Sequence, residues 1–131
     1  MKVYYAHFMG IYNTPQELRD IETLTKLGLE VINPNIPEVQ AEVEKFKVTF
    51  GPTYNQNYMV MFEEVFFKRI RDCEVFAFRG LPDGRIPGGV AMELKVAQDE
   101  DKIIIELPCG THSRKMDADS TKEYLRDIGE R

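Results

Sequence analysis

The chain has 131 residues, 43% of them hydrophobic and 30% charged, which is enough for one soluble domain (residues 1–131) with its own core and no need of disulfides or a structural metal. A net charge of -5 argues against a nucleic-acid polymer as partner, since such surfaces are basic, but leaves a small nucleoside or nucleotide open. Two lone thiols (Cys73, Cys109) outside any Cys-x-x-Cys pair, two histidines (His7, His112) that complete no zinc pattern, no leader-like segment and no apolar run near the ~20 residues of a bilayer span predict a cytoplasmic protein without metal or membrane.

Lys2 to Phe8 is rich in Val and aromatic residues and reads as a first strand, followed by a loop from Met9 to Asn13. Thr14-Pro15-Gln16-Glu17 is a capping box with proline at the first helical position. Leu18, Ile21, Leu24 and Leu27 give that helix an apolar stripe, and Gly28 stops it. Leu29 to Asn33 is a short second strand ended by Pro34. Between Asn35 and Asn57 the pattern is weakest, with Val39, Val43 and Phe46 at helical spacing and a break at Gly51-Pro52.

A long helix is expected from Gln56 to Asp72. Its aromatic and Met residues cover more than one face, which predicts burial against the sheet and against a second subunit, hence a homodimer or higher homo-oligomer. Glu74 to Phe78 is the third strand, and Leu81-Pro82-Asp83-Gly84 a turn. Gly88-Gly89 opens a helix to about Gln98, and Lys102 to Leu107 is the fourth strand. Its Ile103-Ile104-Ile105 block lacks alternation, as in a strand covered on both faces. Cys109 to Asp119 reads as irregular. Ser120-x-x-Glu123 then caps a last helix with Tyr124, Leu125 and Ile128 on its apolar face. Strands alternating with helices predict a parallel sheet with right-handed crossovers.

Parallel sheets bind ligands at the carboxyl ends of their strands. Two loops lie there: Ala6-His7-Phe8-Met9-Gly10-Ile11-Tyr12 and Arg79 to Gly89. Glu93 is expected in the first turn of the following helix, beside both loops. It is either a nucleophile or an ordinary acid favoured by the positive helix end, which would also keep it ionised. His7 is either a ligand contact or a satisfied histidine at a strand end. Tyr12 and Arg79 could hold a sugar or phosphate or be merely solvated. Asp83 is a turn former or, as the nearest remaining acid in the ligand loop, a candidate general acid, and Gly88 and Gly89 allow close backbone approach. Asp72 either caps its helix or faces the site. Both cysteines read as inert.

Three segments resemble the nucleoside 2-deoxyribosyltransferases and their relatives, the deoxynucleoside-monophosphate N-glycosidases. They are the opening Val-Tyr-Tyr-Ala, the run Ile70-Arg71-Asp72-Cys73-Glu74-Val75, and Gly89-Val90-Ala91-Met92-Glu93-Leu94 followed by Ala97 and a Lys-Ile-Ile-Ile strand. The resemblance covers Met1 to about Pro108 and implies that Glu93 is the nucleophile. The chain departs from the family pattern at Pro87 and Phe66, where members commonly carry acids, and in its Ala6-His7-Phe8 turn.

The expectation is a flavodoxin-like α/β three-layer sandwich with a four- to five-stranded parallel sheet. It would cleave or transfer at the N-glycosidic bond of a (deoxy)nucleoside or nucleotide through Glu93, with no cofactor. The alternative is a binding or sensing module of the same fold that has lost turnover.

Overall fold

A computed structural model describes residues 1–108 and 114–130. The expected irregular segment is therefore only partly observed: residues 109–113, with Cys109 and His112, lie outside the described residues. Four strands, β1 (Lys2–Ala6), β2 (Glu30–Ile32), β3 (Val75–Arg79) and β4 (Ile103–Leu107), form one all-parallel sheet in the order β2-β1-β3-β4. The chain runs from β1 to its neighbour β2, then crosses back past β1 to β3. The order thus reverses between β1 and β3, and their carboxyl ends flank the crevice where such sheets take ligands.

The helices are α1 (Pro15–Lys26), α2 (Pro37–Phe50), α3 (Tyr54–Met61), α4 (Lys68–Arg71), α5 (Gly88–Asp99) and α6 (Ala118–Asp127). Between α3 and α4 the chain continues as a π-helix, Phe62–Phe67. Side chains alternate across β1, so Val3 and Tyr5 pack with Leu24 of α1, whereas Tyr4 and Ala6 pack with Phe67, Ile70, Val90 and Ala97. Helices thus cover both faces, as in a flavodoxin-like three-layer sandwich. No helix among the described residues is long and apolar enough to cross a membrane.

Several boundaries differ from expectation for local reasons. β1 ends at Ala6, because Met9–Ile11 coils into a 3-10 turn closed by the Tyr12 N–H on the Met9 carbonyl at 3.0 Å. Within the weakly patterned stretch α2 is longer than the spacing of Val39, Val43 and Phe46 suggests, starting with Pro37 at a first-turn position and reaching Phe50, and the helix expected from Gln56 to Asp72 starts two residues earlier at Tyr54 and runs through the π-helix to Arg71. The last helix starts two residues before Ser120. Asp117 is its N-cap, accepting the Ser120 N–H at 2.7 Å, so the expected Ser120 box does not form.

Two apolar patterns are also corrected. On α1, Leu18 and Leu27 are 67% and 62% exposed, while Glu17, Asp20 and Leu24 are buried. The helix is turned so that two acids meet partners beneath the sheet edge. On β4, Ile103 and Ile104 are 53% and 37% exposed, because β4 is an edge strand rather than one covered on both faces. Tyr124 and Ile128 of α6 are likewise exposed, leaving Leu125 as the half-buried member of its apolar face.

Candidate active site

Tyr4 and Tyr5 are adjacent in β1, so they point to opposite faces of the sheet. A buried phenol needs a partner for its hydroxyl, and each finds an acid. Tyr5 Oη donates to Asp20 Oδ2 at 2.5 Å on the α1 side. Tyr4 Oη donates to Glu93 Oε2 on the α5 side. The Tyr4 ring stacks on Phe76, with centroids 5.9 Å apart, which fixes the direction of its hydroxyl.

Glu93 is the sixth residue of α5, so it lies in the second turn and not the first, where no acid stands. The helix dipole, which fades beyond the first turn, therefore does not dominate it. Burial does: the residue is 7% exposed, and burial pushes its carboxyl up to about 7, opposed by the hydrogen bond from Tyr4. The expectation of a firmly ionised Glu93 is corrected to a carboxyl poised near neutrality. Burial and the neighbouring Glu93 charge in turn hold Tyr4 well above the usual phenol range, so it remains a donor.

These two residues line a cavity of about 320 Å³ at the carboxyl end of β1, a size within the range of small-molecule sites. The turn after β1 contributes Phe8, Met9 and Tyr12. Val43 and Lys47 come from α2, Tyr54 from α3, Phe62 and Phe66 from the π-helix, and Pro87 and Gly89 from the start of α5. The π-helix draws its aromatic rings together: Phe62 lies 5.1 Å from Phe66 and 5.8 Å from Phe67. Such π-turns recur at functional sites. Pro87 and Phe66, the two departures from the acid pattern, both line this cavity with apolar surface.

The other expected site residues divide into three groups. His7 and Tyr12 line the cavity with Glu93 and Gly89. Burial pushes the Tyr12 hydroxyl up to about 12, aided by the charges of Glu93 and Glu17. His7 is held on both nitrogens, with Nε2 2.6 Å from Glu17 Oε2 and Nδ1 3.1 Å from the Tyr5 carbonyl, and its ring stacks on Tyr5 at 3.8 Å. Burial lowers the His7 pKa, while the contact with Glu17 opposes that fall. Burial raises Glu17, but the His7 ring, the Asn13 N–H and the Asn35 amide outweigh it and hold the carboxyl below its usual range.

Arg79 forks onto Asp20, with Nε 2.5 Å and Nη2 2.8 Å from its two oxygens, and Nη1 donates to the Pro108 carbonyl at 2.7 Å. It lines a separate depression with Ile11, Gln16 and Pro82. Ala6 is fully buried in the core, Asp83 is exposed and bonds the Arg85 N–H at 3.0 Å, and Gly88 is exposed outside the cavity lining. Asp72 ends α4 as its C-cap. Cys73 is buried, and burial pushes its thiol up to about 11, so it holds its proton. No cluster of three metal-ligating side chains occurs among the described residues.

Sequence reasoning did not single out Tyr4, Glu17 or Asp20. The available signal was the Tyr-Tyr pair inside a strand, since two interior phenols on opposite faces require two buried acceptors. Compared with known protein families, with curated proteins and with solved structures, the chain matches none.

Proposed function

We propose that the protein cleaves or transfers at the N-glycosidic bond of a (deoxy)nucleoside or nucleotide, with Glu93 as nucleophile. The observation that carries this reading is the buried Glu93 carboxyl, held by Tyr4, in an aromatic-lined cavity at the β1/β3 crevice. Tyr12, Phe62 and Phe66 supply ring faces for a heterocyclic base. Glu93 supplies the anion that opposes charge building on the anomeric carbon. In the first step a carboxylate oxygen bonds to that carbon as the base leaves with the electron pair of the C–N bond. In the second, water or another base attacks the same carbon and the carboxylate departs. Tyr4 engages one oxygen and leaves the other for attack.

Because the reactive form is ionised, turnover should rise with pH through about 7. Chromatography of free base released from a nucleoside and nucleotide panel tests the reading. Glu93→Gln is expected to lower release by about 100-fold or more, since the amide cannot form the glycosyl ester. Undiminished release from that variant would remove Glu93 from the reaction.

A second reading is a nucleotide-binding or sensing module without turnover. It is favoured by the apolar residues Phe66 and Pro87 in the cavity lining. Saturable binding with no base release over long incubation would select it. The same proposal includes a cytoplasmic setting, in keeping with Cys73 as a buried free cysteine. It also includes self-association through the exposed Tyr58, Met59 and Val60 of α3, which sedimentation equilibrium would detect.

A further inference from the structure

We propose that the cavity is built for N-glycosides whose leaving group already carries positive charge, namely quaternary pyridinium N-ribosides, rather than for neutral nucleosides. The inference rests on the glycosidase reading of Glu93 and specifies its substrate class.

The first argument concerns protons. A neutral nucleoside base departs with the bonding electron pair and needs a proton as it leaves. Among the described residues lining the cavity, Glu93 is the only carboxylic acid, and it is assigned to the anomeric carbon. Tyr4 gives its hydroxyl proton to Glu93. Both ring nitrogens of His7 are occupied by Glu17 and the Tyr5 carbonyl. Tyr12 is a phenol that burial makes reluctant to ionise. Pro87 and Phe66 offer no proton, and Lys47 and Tyr54, the remaining proton carriers of the lining, stand on the α2–α3 side, with the Lys47 ammonium 5.9 Å from the centre of the Tyr54 ring. A pyridinium riboside avoids the need: its C–N bond breaks, the electron pair neutralises the ring nitrogen, and a neutral pyridine leaves. Water then attacks the anomeric carbon, the ester electron pair returns to Glu93, and the proton of water passes to solution. The sum is riboside cation plus water giving sugar, pyridine and one proton.

The second argument is charge complementarity. Glu93 is buried, and no described cation forms an ion pair with it. A buried carboxylate without a cation is costly, and a cationic ring beside it would lower that cost. The surrounding rings favour the same charge, because aromatic faces attract cations.

The test compares base release from nicotinamide riboside and nicotinamide mononucleotide with release from uridine, inosine and their deoxy forms, using wild type and Glu93→Gln. The expected result is a kcat/KM at least about 100-fold higher for the pyridinium substrates, the scale of a missing general acid. Rate should rise through neutral pH to a plateau with no alkaline fall, and Glu93→Gln should abolish it. Equal or faster cleavage of neutral nucleosides, with a bell-shaped pH profile, overturns the preference but leaves the glycosidase reading intact. Release from neither class overturns both, as does full pyridine release by Glu93→Gln.

Discussion

At residue 93 two demands conflict: a nucleophile must be ionised near neutral pH, and a carboxylate in an aromatic cavity resists ionisation. The resulting pKa of about 7, against an ordinary value of 4.5, has a consequence for stability. The folded state holds the proton more tightly than the unfolded chain. Its stabilising effect is therefore complete below about pH 4.5 and is lost as pH rises through 7. The shift corresponds to roughly 3 kcal/mol between those limits. Glu93→Gln, which keeps an acceptor for Tyr4, should melt near wild type at pH 4.5 and distinctly higher at pH 8. Thermal melts at the two pH values check this, and a variant less stable than wild type at pH 8 contradicts it. Glu93 could be singled out from its loop-helix setting. Its titration could not, because which turn it occupies and how deeply it is buried depend on the fold around α5.

For single elements, α1 shows how polar partners override an apolar stripe. Its sequence offers Leu18, Ile21, Leu24 and Leu27, yet the helix buries Glu17 and Asp20 beside Leu24. Asp20 receives Tyr5 and both fork nitrogens of Arg79, and Glu17 receives His7, Asn13 and Asn35. Satisfying these buried groups outweighs covering two more leucines. Asp20→Ala would leave the Arg79 guanidinium buried beside a missing anion. It should cost about 3–5 kcal/mol, whereas Leu18→Ala at an exposed site should stay within about 0.5 kcal/mol. Urea denaturation distinguishes the two, and similar midpoints would refute the account of α1. The N-terminal cap was legible: Thr14 accepts the Glu17 N–H at 3.4 Å, although Glu17 turns back to the Asn13 N–H instead of to Thr14. β4 was misread because three consecutive isoleucines look alike whether or not a further strand lies beyond them.

Over the whole molecule, the strand-helix alternation was enough to read a parallel α/β sandwich, because period and turn residues are local properties. The cavity was only half legible. Its β1 and α5 side follows from the two loops at the sheet edge, but its other side comes from α2, α3 and the π-helix, where the pattern was weakest. Nothing local announces that Phe62 and Phe66 converge, since a π-turn depends on how its helix is packed.

That division between the two sides of the cavity bears on how ligand would enter. Tyr4 and Glu93 are anchored with the central sheet, whereas Val39, Met61 and Val65 form a small cluster of their own that Val43, Phe46 and Tyr54 join, with Phe62 and Phe66 packed against both clusters. Regions with their own small core open independently of the global transition. Amide hydrogen exchange should therefore be faster across Pro37–Phe50 than across Lys2–Ala6 and Val75–Arg79. A bound ligand touching both sides should slow the former selectively, and uniform protection in the free protein would show one indivisible unit. In that case α2 is a fixed wall. Otherwise it serves as the door of the cavity, and binding is what bolts it.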